Sequence, residues 1–332
     1  MALWWAKGPT HGSGPWHARG VATTEKLLAL DTPSLYFRSF FGVPESVTAP
    51  DGTPVNAVRG LIDAIARLIS TTAPTRLVAA MDADWRPAWR VAAIPAYKEH
   101  RVGADGGDQS PDALNVQVPI IEAVLDAVGL AQMGVAGFEA DDVIGTLAVT
   151  AGCAVDIVTG DRDLFQLVRD DVPVRVLYTG RGLRNLDSVD EAWVTNKYGI
   201  PGRGYAEFAT LRGDPSDGLP GVPGVGDKSA AALITRFGTV SGVVLEMNRI
   251  GDSVSAAMSQ QTATTAEIAQ NVEQAACGTQ GVSSGIVWVE DATRKSGDLA
   301  DHIRQSSEQL SRQALYLTEE VAQFLLRVRN GG

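Results

Sequence analysis

The 332-residue sequence has only two cysteines, Cys153 and Cys277, which lie far apart and form no CxxC pair. This scarcity argues against a disulfide framework and a cysteine zinc site, and it fits a reducing cytoplasm. No run of about 18 apolar residues occurs, so we expect no membrane span. The opening "MALWWA" is also too short for the apolar region of a signal peptide.

Positive charge is scarce as well: 28 Lys and Arg stand against 39 Asp and Glu, a net charge of −11. Proteins that bind nucleic acids usually carry a basic excess, so this balance argues at first against such a partner. The argument fails if the acids are concentrated at metal sites, because bound divalent ions would cancel the excess locally. Net charge alone therefore leaves the partner open.

Apolar runs alternate with helical patterns along much of the chain. Residues 1–25 show no apolar period, and we predict a disordered leader there. Strands are predicted at Leu27–Leu30, Leu77–Met81, "CAVDIVTG" and "VPVRVLYTG", and helices at Ala57–Ser70 and Val116–Val128. Such alternation predicts an α/β domain over residues 26–200, with a mainly parallel sheet flanked by helices.

Acidic residues follow three of the predicted strands. Asp31 ends the first, Asp82 ends the second, and Asp161 and Asp163 follow "CAVDIVTG". A turn or helix-cap role explains any one of them best. In a parallel sheet, however, ligands bind beyond the carboxyl ends of the strands, where all four would lie together.

Three more acids, Glu139, Asp141 and Asp142, open the predicted helix "GFEADDVIGTLAVT". Acids are favoured in a first helical turn, so capping accounts for one or two. Three within four residues raise one another's pKa unless a cation lies among them. On this stretch alone, capping and metal binding explain the pattern equally well. Together with the acids after the strands, it favours a shared two-metal site, because Mg²⁺ prefers carboxylate oxygens.

The segment "TLRGDPSDGLPGVPGVGDKSAAALITRFG" adds Asp214 and Asp217 and then a glycine-punctuated turn that opens a helix near Lys228. Backbone N–H groups at such a turn can hold a phosphate, although a purely structural helical hairpin is the alternative. We expect Gly226→Val to crowd this turn.

The last part of the chain gives weaker signals. Residues 250–282 have a weak helical period, "SSGIVWVED" is predicted as a late strand, and "LADHIRQSSEQLSRQALYL" as a final helix. We therefore expect residues 286–332 to contribute a strand and a helix that pack back on the core.

Six segments in order resemble the bacterial and phage 5′ nuclease family, which includes stand-alone flap endonucleases and the 5′–3′ exonuclease domain of DNA polymerase I. They are "LALDTPSLYFRSFF", "AAMDADWRPAWR", "IPAYKEHR", "GFEADDVIGTLA", "VTGDRDLFQLV" and "LRGDPSDGLPGVPGVGDKSAAALI". The resemblance implies a PIN-like 5′ nuclease core over residues 26–200 and a helix–three-turn–helix DNA-binding region over residues 201–285.

The resemblance also implies two or more Mg²⁺ or Mn²⁺ ions. Asp31, Asp82, Glu139 and Asp141 would hold the first ion, Asp161, Asp163 and Asp217 the second, and Asp142 and Asp214 an outer-shell water or a further ion. By the same resemblance, Arg90, Lys98 and Arg101 contact the phosphate and Tyr97 stacks on a frayed terminal base; the residues alone would indicate a solvated basic helix face. The hairpin would grip duplex DNA, with a K⁺ ion, through Gly221, Val222, Gly224, Val225, Gly226 and Lys228.

The implied function is a divalent-metal-dependent, structure-specific 5′ nuclease of DNA replication and repair. Its partners would be 5′-flap, nicked or 5′-ended duplex DNA, and RNA in RNA–DNA hybrids. We expect a cytoplasmic monomer at the nucleoid. Two alternatives stay open: a DNA-end-binding or flap-binding protein with little catalysis, and a PIN-type ribonuclease, which would lack the helix–three-turn–helix.

Overall fold

A computed structural model describes residues 25–103 and 106–330, so the predicted leader lies outside the described residues except for Glu25. Its centre is a six-stranded sheet of order β3-β2-β1-β4-β5-β6. The strands are β1 Lys26–Asp31, β2 Arg76–Ala80, β3 Ala131–Met133, β4 Ala154–Thr159, β5 Val174–Tyr178 and β6 Asp187–Val189. Strands β1 to β5 run parallel and β6 pairs antiparallel with β5, which confirms the predicted mainly parallel sheet.

Helices cover both faces of the sheet. They are α1 Thr32–Gly42, α2 Asn56–Thr72, α3 Ala88–Ala93, α4 Asp112–Asn115, α5 Val118–Ala127, α6 Ala140–Thr150, α7 Glu191–Tyr198, α8 Tyr205–Arg212, α9 Asp227–Phe237 and α10 Val240–Arg329. Along β1, Leu28 and Leu30 pack in one core cluster with α1, α2 and α5, while Leu27 and Ala29 pack in the other with α6, α8 and α9. Successive strand residues point to opposite faces, so one apolar run supplies two cores.

The C-terminal strand prediction is wrong. By internal contacts the chain divides into two units, Met1–Met247 and Asn248–Gly332. The segment "SSGIVWVED" lies within the 90-residue helix α10. Its β-branched residues favour a strand locally, but the helix satisfies its backbone hydrogen bonds internally, without a neighbouring strand. Large side chains of residues 286–329, such as Trp288 and Leu310, are exposed.

Within the described ranges, no single helix is long and apolar enough to cross a membrane, although the bent pair Asp227–Phe237 and Val240–Arg329 passes a test of length and composition.

Candidate active site

The carboxyl ends of β1, β2 and β4 bring four acids to one edge of the sheet. Asp31 is the last residue of β1, Asp82 follows β2, and Asp161 and Asp163 follow β4. Because β2 and β4 flank β1 in parallel, the three strand ends lie side by side. The structure therefore places these four acids at one edge of the sheet.

Thr159, which is not among the predicted site residues, links two of these acids. Its hydroxyl donates to Asp31 Oδ2 and accepts from the backbone N–H of Asp161, the latter at 2.8 Å. The N–H of Ser34 donates to the other oxygen of Asp31 at 3.2 Å. These bonds orient the Asp31 carboxylate at the strand end. The Ser34–Asp31 and Asp161–Thr159 bonds are local, whereas the Thr159–Asp31 bond joins residues 128 positions apart and therefore leaves no signal in the sequence.

At the start of α6, two acids cap the helix and a third has no capping role. Glu139 and Asp142 form a reciprocal capping box, so the capping interpretation holds for this pair. The N–H of Ala140 donates to Asp82 Oδ1 at 2.7 Å and ties the helix start to the sheet edge. Asp141 belongs to the same turn but not to the capping box. Of the three acids, it is therefore the one left free for another role.

Glu139 is surrounded by donors. Arg90 Nη1 lies 2.8 Å from Oε2, Lys98 Nζ lies 2.8 Å from Oε1, and the Tyr97 hydroxyl donates at 2.8 Å. Arg90 also forms a bidentate pair with Asp142 at 2.8 and 3.0 Å. Two cations thus hold a carboxylate that the resemblance assigns to a metal.

The stacking role implied for Tyr97 is wrong for this arrangement. The side chain is only 2% exposed, and its hydroxyl is bonded to Glu139. A buried ring has no free face for a base. Arg90, 5% exposed, is likewise fixed between Glu139 and Asp142, so it supports α6 rather than standing on a solvated helix face.

Lys98 lies between two acids, Glu139 and Asp217. Its Nζ contacts Glu139 at 2.8 Å and Asp217 Oδ1 at 3.9 Å, and its N–H donates to the Asp217 carbonyl at 2.9 Å. Burial lowers the pKa of Lys98, but the charges of Glu139 and Asp217 outweigh burial, so its pKa is raised. The ammonium is therefore charged at neutral pH. Lys98 also has φ of +48°, a left-handed conformation that costs about 1–2 kcal/mol for a non-glycine residue.

Arg101 stands at the rim of this site. It pairs with Asp108 at 2.8 Å, and its guanidinium lies 5.5 Å from the centre of the Trp85 ring. Its side chain is 37% exposed. Among the three predicted cations, Arg101 is the most accessible to a phosphate.

Two further acids, Asp214 and Asp217, come from the segment between α8 and α9, in addition to Asp161 and Asp163 after β4. The N–H of Asp163 donates to Asp161 Oδ1 at 2.8 Å, and Ser216 donates to Asp214 Oδ1 through both its N–H, at 2.9 Å, and its hydroxyl. Asp214 and Asp217 are buried. Asp163 Oδ1 is buried without a hydrogen-bond partner among the residues that the structure describes.

The acids at this edge disfavour one another's ionisation. Burial raises the pKa of Asp31 to about 7, with the charges of Asp82 and Asp161 adding to it against the Thr159 hydrogen bond. Burial first, and then the nearby carboxylates, raise the pKa values of Asp141 and Asp163 well above the usual aspartate range. A cation among these groups reverses the repulsion.

The donor set fits a hard divalent cation. All the groups are carboxylates, the ligand type that Mg²⁺ and Mn²⁺ take, and the unpartnered Asp163 Oδ1 is an available acceptor. Within residues 25–103 and 106–330, however, no three His, Cys, Asp or Glu side chains already converge to hold an ion. Existing partners, such as Thr159 and Lys98, orient several of the carboxylates instead.

An open groove of about 1280 Å³ lies beside the site, with Ser34, Arg101 and Ser216 in its lining. It is also lined by Arg38, Arg67, Arg181 and Arg184. These four arginines come from separate elements and form no motif in the sequence. With Arg101 they outnumber the one acid in the lining, Asp63, although Arg181 is paired with Asp187, so the groove is a basic surface next to the carboxylates.

The predicted hairpin connects α8 and α9. The N–H of Val222 donates to the Leu211 carbonyl at 2.8 Å, and that of Val225 to the Val222 carbonyl at 3.0 Å. Gly221 and Gly224 have φ of +66° and +80°. Lys228 is exposed in the first turn of α9. The turn thus places free helix-start amides and a lysine together at the surface.

The expectation that Gly226 is the crowded glycine is wrong. Gly226 has φ of −97°, and a Cβ there meets nothing within 4 Å. At Gly221 a Cβ would lie 2.3 Å from the Gly213 nitrogen. The backbone at Gly221 therefore lies directly against the backbone of Arg212 and Gly213. The regular spacing of glycines in the sequence does not show this contact.

We therefore predict that Gly221→Ala lowers the free energy of unfolding by about 2 kcal/mol or more, because it adds both a clash and a strained φ. Gly226→Ala is the matched control and should change it by less than about 0.5 kcal/mol. Urea unfolding of both variants measures this. Equal stabilities would contradict the close backbone contact at Gly221.

Comparisons with known proteins cover most of the chain. A family model described as "5′-3′ exonuclease, N-terminal resolvase-like domain" matches residues 26–199, and "5′-3′ exonuclease, C-terminal SAM fold" matches residues 200–281. A 5′-3′ exonuclease of Streptomyces coelicolor is 61% identical over 221 residues, 65% of this chain and 73% of that protein. One from Mycobacterium tuberculosis is 54% identical over 230 residues, 66% of this chain and 72% of that protein.

Other matches share the fold. DNA polymerase I of Mycobacterium tuberculosis is 40% identical over 255 residues, 74% of this chain but 27% of the polymerase. A bacteriophage T5 flap endonuclease, crystallised with DNA and metal ions, superposes with a TM-score of 0.54 at 18% identity, covering 66% of this chain and 78% of that one. T5 5′-exonuclease with bound zinc gives the same TM-score of 0.54 at 18% identity, covering 67% and 79%.

Proposed function

The chain belongs to the 5′–3′ exonuclease family, and from that premise we propose that it cuts DNA at 5′ flaps and 5′ ends with two divalent metal ions. The family assigns a nuclease activity. Flap cleavage, the two-ion arrangement and Mg²⁺ or Mn²⁺ as the metal are the parts that we propose. A place at the nucleoid, where such DNA occurs, belongs to the same proposal.

The observation that carries this proposal is the concentration of carboxylates at one edge of the sheet, with Lys98 in contact with two of the acids, Glu139 and Asp217. Asp31, Asp82, Asp161 and Asp163 follow neighbouring strand ends, and the charge of Asp141 interacts with those of Asp161 and Asp31. The charge of Asp163 interacts with those of Asp161, Asp214 and Asp217. These carboxylates would hold the metal ions beside a phosphodiester, and the Lys98 ammonium would supply a further positive charge there.

Bound ions at these acids would lower the pKa of the attacking water and stabilise the charge on the leaving oxygen. The protein's own groups position the reaction. Lys98 supplies a positive charge that is already in place, so it stabilises charge that develops on the phosphate without reorganising. Arg90 and Tyr97 hold Glu139 and thereby fix the start of α6 and Asp141.

Two surfaces support DNA as the partner. The arginine groove beside the acids offers charge for a phosphate backbone, and the hairpin amides with Lys228 offer sequence-independent phosphate contacts. The T5 flap endonuclease of similar fold was crystallised with DNA and metal ions. Cleavage of RNA in hybrids, and a K⁺ ion at the hairpin, extend the same proposal.

The test is a cleavage assay on a 5′-flap duplex, a nicked duplex and matched RNA, each with Mg²⁺, Mn²⁺ or EDTA. We expect cuts in the flap and nicked DNA with either metal and none with EDTA. Binding to flap DNA without cleavage would instead indicate an end-binding protein. Preferential cutting of single-stranded RNA would indicate a PIN-type ribonuclease.

The hairpin can be tested apart from the acids. Lys228→Ala should weaken binding to the duplex part of a flap substrate and reduce the slope of log K against log salt by about one unit, because one phosphate contact is lost. Single-turnover cleavage at saturating enzyme should stay close to wild type, since Lys228 lies outside the acid groups. An unchanged salt slope, measured by fluorescence anisotropy, would show that the hairpin has only a structural role.

A further inference from the structure

Residues 248–329 form one continuous helical segment whose large apolar side chains face solvent. Ile303, Leu310 and Leu317 are 63%, 71% and 65% exposed. Most helical stability in proteins comes from packing an apolar face, and long helices of ordinary composition do not persist alone in water. Serine, threonine and glycine, which lower helix propensity, are frequent in this segment. The helix therefore needs a partner surface along its length.

The pattern of its sequence specifies the geometry of that partner. Two sets of positions repeat every seven residues: one runs from Met247 to Phe324, and the other from Gly251 to Val328. Throughout both sets no charged residue occurs, although charged residues such as Arg294, Lys295 and Asp298 are common between them. These sets are the d and a positions of a heptad repeat without an interruption in register. A strict seven-residue repeat is the signature of a left-handed coiled coil.

We propose that residues 251–328 form a parallel, in-register, two-stranded coiled coil with the same segment of a second copy of this chain. The unbroken register allows every a and d residue to face its own copy. β-Branched residues at a positions, such as Val272 and Ile286, are typical of two-stranded coiled coils, and Leu310 and Leu317 at d positions agree with this. Other d positions are β-branched, as at Val254, Ile268 and Ile303, so the number of strands is decided by the sedimentation test below.

The flanking positions permit a parallel pairing of identical chains. In that arrangement each g residue lies beside the e residue five positions later in the other chain. Three such pairs within residues 251–328 contain a charge, Gly285 with Glu290, Leu299 with Arg304 and Glu320 with Leu325, and each joins a charged residue to an uncharged one, so like charges do not meet.

The polar d residue Gln261 also selects the parallel direction. In a parallel dimer it faces its own copy, and two amides can hydrogen-bond to each other. A full-length antiparallel overlap would place it opposite the apolar positions Ala314 and Val321, where the amide would have no partner. This dimer replaces the monomer expected from the sequence resemblance.

Sedimentation velocity of the full chain tests the partner. At micromolar concentration we expect a dimer that dissociates on dilution. Replacing Leu310 and Leu317 by lysine should give a monomer and reduce the helical circular dichroism signal. Leu315→Lys is the matched control: Leu315 is 68% exposed, like Leu310, but occupies an outward b position, so this variant should stay dimeric. A wild-type monomer at about 100 μM, or equal effects of the d and b changes, would overturn the proposal.

Disulfide trapping tests the alignment. In a Cys277→Ser background, which removes the exposed cysteine, Ser296→Cys places a thiol at a d position and Ser284→Cys places one at an outward f position. A parallel in-register dimer should form the first disulfide rapidly under mild oxidation and the second hardly at all. A dimer in which Ser296→Cys forms no disulfide would overturn the parallel alignment.

Discussion

Asp163→Asn should reduce the single-turnover rate of flap cleavage by more than about 100-fold at saturating Mg²⁺. The Asp163 Oδ1 atom is buried without a partner among the described residues, so it is the acceptor best placed for a metal. Loss of an outer-shell partner typically costs 10-fold to 100-fold in metal affinity or activity, roughly, and loss of a ligand should exceed that. Asp141→Asn should behave alike, because Asp141 is the acid of its turn outside the capping box.

The same variant separates metal binding from folding. Burial and the charges of Asp161, Asp214 and Asp217 raise the pKa of Asp163, so its ionised form is costly without a cation. The amide keeps the shape and removes the charge, and the melting temperature without metal should be equal or higher. Asp170→Asn is the matched control at an exposed position. Near wild-type cleavage by Asp163→Asn would contradict the metal assignment.

Lys98→Ala should lower the cleavage rate by about 100-fold to 1000-fold, the range seen when one preorganised donor to a developing charge is removed. The fold should persist, because Glu139 keeps its bonds to Arg90 and Tyr97. Lys197→Ala, at an exposed lysine of α7, is the control and should leave the rate unchanged. The measurement is single-turnover cleavage across a substrate titration.

The role of Lys98 is decided by whether the substitution changes the maximal cleavage rate or the apparent affinity for the substrate. If its charge acts on the transition state, the maximal rate falls and the apparent substrate affinity changes little. A loss confined to affinity would assign Lys98 to uniform substrate binding. The left-handed backbone at Lys98 shows that the surrounding structure fixes this residue in one position, as a preorganised charge requires.

The sequence was sufficient for the parts of the fold that rest on strong apolar patterns. Strands β1, β2, β4 and β5 were predicted because each is an apolar run buried in a parallel sheet. It gave no signal for β3, whose three residues are all exposed, or for β6, which has three residues. Such short strands form because a neighbouring strand is already in place, not through local propensity.

In the site, the sequence located the acids but not their partners. Strand ends placed Asp31, Asp82, Asp161 and Asp163 at one edge, as the topology rule requires. The sequence could not show that Tyr97 is buried or that Lys98 is paired with Glu139, because both depend on contacts between distant segments.

The C-terminal prediction failed for a different reason. The β-branched run around Ile286 satisfies the local criterion for a strand, whereas the seven-residue repeat that makes it helical extends far beyond that window. Local propensity and long-range period disagreed there, and the period prevailed.

The most direct measurement of the central claim is a titration of the metal-free protein with Mn²⁺ followed by electron paramagnetic resonance, with and without flap DNA. The account predicts two bound Mn²⁺ ions per chain in the presence of DNA, and loss of at least one of them in both Asp141→Asn and Asp163→Asn, with Asp170→Asn unchanged. Wild-type binding that is absent, or that is the same in all three variants, would contradict the assignment of these carboxylates to metal.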